Sequence, residues 1–178
     1  MKKYIFLLAY IFTHSLLAQS TASKNVSTFE IDAPQLDTIR KIWVYLTEDY
    51  KMSDKRYPVI YMHDAQNLFD SSTSFVGEWN VDDFLDSSAG RKTIVVGIEH
   101  GNEKRIKELT PFSNDTYGGG EADAYLDFIR KTLKPEIDEK YRTLPDAANT
   151  TIMGSSLGGL VSFYAAVKYP DIFGNAGV

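Results

Sequence analysis

The chain has no cysteine, which removes a disulfide framework, a thiolate metal site and a cysteine nucleophile from consideration. Histidine is scarce: only His14, His63 and His100 occur in 178 residues, and no cluster of metal-ligating side chains stands out. Positive charge is in deficit. Nineteen Lys and Arg against 24 Asp and Glu give a formal charge of -5, a poor match for nucleic acid or an anionic membrane. Basic residues gather at Lys51, Lys55 and Arg56 and at Lys104, Arg105 and Lys107, but interleaved acidic residues make both read as solvated loops. Internal repeats and low-complexity tracts are missing. The triplet Gly118-Gly119-Gly120 matches neither a Walker A loop nor a dinucleotide fingerprint and reads as a flexible turn, so no cofactor and no metal are expected.

Long apolar runs are lacking too. A spanning helix needs about 20 apolar residues. The mainly apolar stretch Tyr4 to Ala18 is shorter and is broken by Thr13, His14 and Ser15. Preceded by Lys2 and Lys3 and followed by small polar residues, it has the layout of a secretory leader. Residues 1–22 are therefore expected to be a signal peptide and its cleavage region, with export to the periplasm or outside the cell and no stable membrane anchor afterwards. Cleavage after Ala18 keeps the cut near the apolar run; cleavage after Ala22 better fits the small-x-small rule through Ser20-Thr21-Ala22.

With 43% hydrophobic residues and no composition shift, residues 23–178 read as part of one domain. Ser27 to Ile31 and Ile39 to Leu46 alternate like strands around a turn with Pro34 and Asp37, predicting an antiparallel pair. Pro58 to Met62, Thr93 to Ile98 and Thr150 to Met153 are continuous apolar runs, as strands covered on both faces of a parallel sheet require. Helices are predicted at Val81 to Leu85, at Glu121 to Lys134 and after Ser156. The last places Leu157, Leu160, Val161, Tyr164 and Ala165 on one stripe, with Phe163 and Val167 widening it. That helix is expected to be largely buried and to stop at Tyr169, before Pro170. Phe173 to Val178 looks like the start of another strand.

The most informative residues are Gly154-Ser155-Ser156-Leu157-Gly158, a Gly-x-Ser-x-Gly pentapeptide between a strand-like and a helix-like run. At typical Gly and Ser frequencies a chain of this length holds that pattern by accident about 0.06 times. In this context Ser156 is a candidate nucleophile, since a sharp strand-to-helix turn lifts its hydroxyl out and aims the Leu157 N–H at a developing oxyanion. The plain alternative is a Gly/Ser turn whose serine merely caps the helix. Ligands bind beyond the carboxyl ends of parallel strands, so the loop after Met62, His63-Asp64-Ala65-Gln66-Asn67, should lie beside Ser156. Ala65, with Gln66 in reserve, is expected to give the second oxyanion N–H.

The blocks YPVIYMHDAQNLFD, GEWNVDD, VVGIEHGNEKRIKELTPF, GGEADAYLDFIRKTLKPEIDEKYRT and TIMGSSLGGLVSFYAAVKYPDIFG together resemble the putative esterase family of α/β-hydrolases. That family includes esterase D, enterochelin esterases, and feruloyl and acetyl xylan esterases. The resemblance runs from about Val26 to Val178. It implies an α/β-hydrolase fold, a mostly parallel sheet with helices on both faces, truncated after the nucleophile helix. It also implies a serine hydrolase acting on carboxylic esters through a covalent acyl-enzyme, with a small-molecule or carbohydrate ester as substrate. Two departures stand out. Asp64 then Ala65 stand where many relatives have Gly after His or His-Asp. In this fold the triad order is Ser, Asp or Glu, then His, yet only Asp171 and no histidine follow Ser156. The chain is thus expected to be the first part of an esterase and inactive alone.

His63, Asn67 and His100 are the candidate substrate contacts; His63 or His100 as a substitute base runs against the expected triad order, and their plainer alternatives are a loop-orienting hydrogen bonder for His63 and an exposed loop residue for His100. Arg105 and Glu108 could touch substrate or form ion pairs; Trp79 and Tyr117 could form a sugar platform or pack in the core. Two rival functions stay open: a non-catalytic glycan- or partner-binding module on a degenerate hydrolase fold, and an acyltransferase using the same serine.

Overall fold

Eight-residue strands β1 (Val26–Ala33) and β2 (Thr38–Tyr45) pair antiparallel in the computed structural model, which describes residues 20–90 and 92–178. Residues 1–19, which carry the apolar part of the expected leader, lie outside that range. The two strands are joined through Pro34 and the left-handed Asp37, the turn the sequence signals.

Next come β3 (Val59–His63), helix α1 (Val81–Ser87), β4 (Ile94–Ile98) and the short helix α2 (Arg105–Leu109). A hairpin of β5 (Ser113–Asn114) and β6 (Gly118–Gly119) follows, and its returning arm uses Gly118, Gly119 and Gly120 at φ of 72°, 105° and 94°. The glycine triplet is a turn device.

Helix α3 (Ala122–Phe128) runs into a wide turn over Ile129–Leu133 and then α4 (Lys134–Lys140). The sequence pattern predicts an end to this helix at Lys134. It continues because Pro135 falls in the first turn of α4, where a missing N–H is tolerated, and the preceding wide turn carries a Lys134 N–H bond to the Ile129 carbonyl. Strand β7 (Thr150–Met153), helix α5 (Leu157–Lys168) and strand β8 (Asn175–Gly177) complete the order.

The six long-range strands form one sheet in the order β1-β2-β4-β3-β7-β8, parallel from β4 through β8. Successive strand residues serve opposite faces. Val44, Tyr61 and Val96 join the larger cluster with Leu126, Phe128, Ile129 and Val161, whereas Tyr45, Met62 and Val95 join Trp43, Leu68 and Phe69, against which Val81 and Leu85 of α1 pack. Each fully buried large apolar side chain contributes about 1.5 to 3 kcal/mol relative to exposure. This two-faced burial is why the central strands read as unbroken apolar runs, and it gives the sheet helices on both faces.

One expectation fails. Helix α5 is not buried around most of its circumference: Val161, Ser162 and Ala165 face the sheet, whereas Leu160, Phe163 and Val167 are exposed, Val167 by 66%. Gly158 and Gly159 bring the helix backbone so close to the sheet that its contact stripe is narrow, and the apolar residues outside it are left facing away.

Candidate active site

Parallel strands β3, β4 and β7 end at the same edge of the sheet, and the loops leaving them form a cleft of about 560 Å³. Ser155 and Ser156 line it together with Asp64, Gln66 and Asn67 from the loop after β3, and His100, Asn102 and Arg105 from the loop after β4. Phe75, Val76 and Trp79 supply its apolar wall.

Ser156 takes φ 56° and ψ -120°, a conformation that costs a non-glycine residue about 1 to 3 kcal/mol. Its side chain is exposed, and its hydroxyl has no hydrogen-bond partner among the described residues. The surrounding glycines allow the strained turn. A Cβ on Gly154 would lie 2.9 Å from His63 Cδ2 and 3.1 Å from the Gly158 backbone, and one on Gly159 would lie 3.1 Å from the Gly154 carbonyl oxygen. The α5 ladder begins with the Leu160 N–H donating to the Ser156 carbonyl at 3.0 Å, and the Gly158 N–H donates to the Ser155 carbonyl at 2.8 Å. The Leu157 N–H precedes both, at the helix start, and has no partner among the described residues.

The facing loop is a single 3-10 turn, Ala65–Asn67, whose first internal bond runs from the Asn67 N–H to the Asp64 carbonyl at 2.9 Å. The N–H groups of Ala65 and Gln66 therefore lead the turn, as unpaired donors do at a helix start. The left-handed position falls on Asp64, at φ 58° and ψ 45°, so Ala65 needs no glycine. Ala65 is buried, and its methyl occupies room left by Gly97 of β4, where a Cβ would come within 2.8 Å of it. Arg105 grips Asp64 side-on, Nε to Oδ1 at 2.7 Å and Nη2 to Oδ2 at 2.8 Å. Asp64 holds the Arg105 guanidinium above its ordinary pKa through that hydrogen bond, while burial pulls the other way.

His63 does not enter the cleft. It is 1% exposed, with Nδ1 2.7 Å from the Tyr125 hydroxyl and Nε2 3.1 Å from Ser162 Oγ. Ser162 Oγ–H donates to the Gly158 carbonyl at 2.7 Å, so its oxygen accepts from His63 Nε2–H and the Tyr125 hydroxyl donates to Nδ1. Burial lowers the His63 pKa to about 4; nearby Asp64 opposes the shift and Arg105 adds to it. The imidazole is thus a neutral link between the loop after β3, helix α3 and the start of α5, with no nitrogen left for Ser156. The loop-orienting reading of His63 fits this placement, and substrate contact does not.

The other candidates divide. His100 lines the cleft half-exposed, its Nδ1 accepting the Asn102 N–H at 2.8 Å. Asn67 lines it too, but its Oδ1 accepts from the Phe75 N–H at 3.0 Å and the Ser74 hydroxyl at 3.2 Å, and its carbonyl accepts the Trp79 N–H at 2.8 Å. It is the post on which the apolar wall hangs. Gln66 carries a buried Oε1 with no partner among the described residues. Glu108 is sealed away in an ion pair with Arg40 at 2.7 Å, and Tyr117 sits on the β5–β6 hairpin, outside the cleft lining. Phe75 and Val76 carry no sequence signal, because they sit in an aperiodic Ser/Thr-rich loop with no pattern to mark them.

The arrangement places a strained, exposed serine beside the Ala65–Asn67 turn on one edge of the sheet. Ferri-bacillibactin esterase BesA of Bacillus subtilis is 30% identical over 138 residues, covering 66% of this chain and 45% of that protein. The siderophore triacetylfusarinine C esterase of Aspergillus fumigatus is 26% identical over 141 residues, 76% of this chain and 47% of its own length. Among solved structures, the IroE-like serine hydrolase of Shewanella oneidensis superposes with a TM-score of 0.69 at 26% identity, over 85% of this chain and 49% of that one. The chain spans about half the length of the curated relatives it matches. The Putative esterase family model matches residues 33–178, and the chain belongs to that family.

Proposed function

We propose that the protein is an exported carboxylic ester hydrolase in which Ser156 is the nucleophile. The observation that carries this reading is the Ser156 backbone, strained at φ 56° on a cleft that it shares with the Ala65–Asn67 turn. Ser156 Oγ attacks the ester carbonyl and passes its proton to a histidine base. The carbonyl oxygen, now negative, takes hydrogen bonds from the Leu157 N–H and from the N–H of Ala65, with Gln66 alongside. Collapse breaks the ester C–O bond, the alcohol leaves with the proton, and water releases the acid from the acyl-enzyme.

Among the described residues neither histidine is placed to serve as that base: His63 is fully engaged, and His100 has its Nδ1 committed to the Asn102 N–H. The wall of Phe75, Val76 and Trp79 suits an apolar or aromatic acyl group, and the ester class is that of small molecules or carbohydrates. Two relatives are siderophore esterases by name, which supports a lactone or ester of that kind.

A serine-reactive fluorophosphonate probe tests the reading on the protein expressed from its full reading frame. Labelling that disappears in Ser156→Ala is expected. Silence in the folded wild-type protein would overturn the esterase reading and leave the binding module, and product analysis with an added alcohol acceptor would separate hydrolysis from acyl transfer.

A further inference from the structure

Ser20, Thr21 and Ala22, which a cut after Ala22 would remove, brace the loop that carries the apolar wall of the cleft. Ser20 Oγ donates to Asp70 Oδ2 at 2.5 Å, and the Thr21 N–H reaches Asp70 Oδ1 at 3.4 Å. Thr21 Oγ1 donates to Glu78 Oε2 at 2.8 Å and accepts the Ser71 N–H at 2.8 Å. Ala22 packs against the cluster of Trp43, Leu68 and Phe69. Farther on, the Ser23 N–H donates to Asp82 Oδ2 at 2.7 Å, and Ser23 Oγ and Asn25 Nδ2 hold the two carboxylate oxygens of Asp86 at 2.7 and 2.8 Å. The partners, Asp70 to Glu78 and the face of α1, flank Phe75, Val76 and Trp79.

Two of these acceptors need the strap. Asp70 is 4% exposed; burial alone would raise its pKa, yet hydrogen bonds from Ser20, Ser72 and Thr21 hold it below the ordinary carboxylate value. Asp82 is 1% exposed and accepts the Ser23 N–H on one oxygen, while its other oxygen has no partner among the described residues. A buried carboxylate oxygen that loses its donor bears its desolvation cost uncompensated.

We propose that the leader is cut after Ala18 rather than Ala22, and that Ser20–Asn25 remain as a strap that fixes the apolar wall of the cleft. This assigns the mature terminus against the stronger small-x-small pattern at Ser20-Thr21-Ala22, because the fold uses those three residues. The strap sets how the wall meets an acyl group and touches no reacting atom, so these are positioning residues. The effect on substrate rests on the esterase reading above.

Terminal sequencing and intact mass of the protein exported with its own leader give the first test. A chain beginning at Gln19 supports the proposal. One beginning at Ser23, with its new ammonium placed on Asp82, or one that keeps Met1, overturns it. The second test uses Thr21→Val, which keeps the shape and removes the hydroxyl, alone and with Ser20→Ala. Amide exchange at Ser71 and across residues 71–79 should quicken several-fold, while KM rises several-fold and kcat holds. Unchanged exchange would overturn the strap. If the probe fails to label Ser156 in every protein, the esterase reading falls, and the exchange data still decide the strap.

Discussion

Asp64 and Arg105 are joined by two parallel hydrogen bonds of 2.7 and 2.8 Å, across 41 residues of sequence. The carboxylate so held belongs to the left-handed residue that opens the Ala65–Asn67 turn beside the cleft. Arginine suits this position because its planar fork matches both carboxylate oxygens, which a lysine ammonium does not. Arg105→Lys should therefore keep the charge and lose the geometry. Fluorophosphonate labelling of Ser156 is expected to slow by about tenfold to a hundredfold, the range that a small misplacement of a catalytic group produces. A rate within twofold of wild type would show that the loop stands without the fork.

Gly154→Ala forces a methyl against His63 Cδ2 and the Gly158 backbone. The neighbours are a buried ring and a helix backbone, so nothing flexible can give way. Overpacking of this kind costs about 1 to 3 kcal/mol. Urea denaturation followed by circular dichroism should show a lower midpoint with the slope unchanged, the shift multiplied by the slope giving a loss of that size.

His63 gives the stability a pH dependence of definite sign. Its folded pKa, lowered by burial to about 4, lies below the unfolded value near 6.5, so between those values the unfolded chain binds the extra proton. The contribution is fully present above about pH 6.5 and is lost as pH falls toward 4. Its full size is on the order of 3 kcal/mol. Urea midpoints measured from pH 7.5 to 4.5 should fall across this window, and His63→Gln should flatten that fall whatever its absolute stability. An equal slope in the variant would mean that other groups carry the effect.

The 178-residue chain by itself should show no measurable esterase turnover, because no histidine contacts the Ser156 hydroxyl among the described residues. It should also associate through Leu160, Phe163 and Val167 on α5, which stand exposed at positions three and four apart. Phe163→Glu with Val167→Lys should raise its monomer fraction in analytical ultracentrifugation. Turnover on a p-nitrophenyl ester, or no change in association, would contradict the respective claim.

Strands and their pairing were legible because burial on both faces leaves an unbroken apolar run, as in Ile94–Ile98, and burial on one leaves alternation, as in β1. The serine turn was legible because its glycines are required at fixed spacing. The helical span over residues 122–140 is longer than its sequence pattern predicts, since Pro135 signals a stop unless the first turn of a new helical segment falls on it. His63 could be placed on the right loop but not turned inward, since what turns it is a tyrosine 62 residues away and a serine 99 residues away. The apolar wall escaped because Phe75 and Val76 are arranged by a single amide side chain, Asn67, and local sequence carries no trace of such a bond.

The wide turn at Ile129–Leu133 has a consequence for the whole edge of the sheet. Tyr125, Ile129, Leu133 and Ile137 are all buried at intervals of four, a spacing longer than the 3.6 residues of a regular helical turn, so an unbroken α-helix would rotate the last of them toward water. The bulge resets that rotation. One continuous rod can thereby seat its far end in the core and still bring a phenol to the imidazole under the serine, and deletion of a single residue there would force the protein to give up one of the two anchorages.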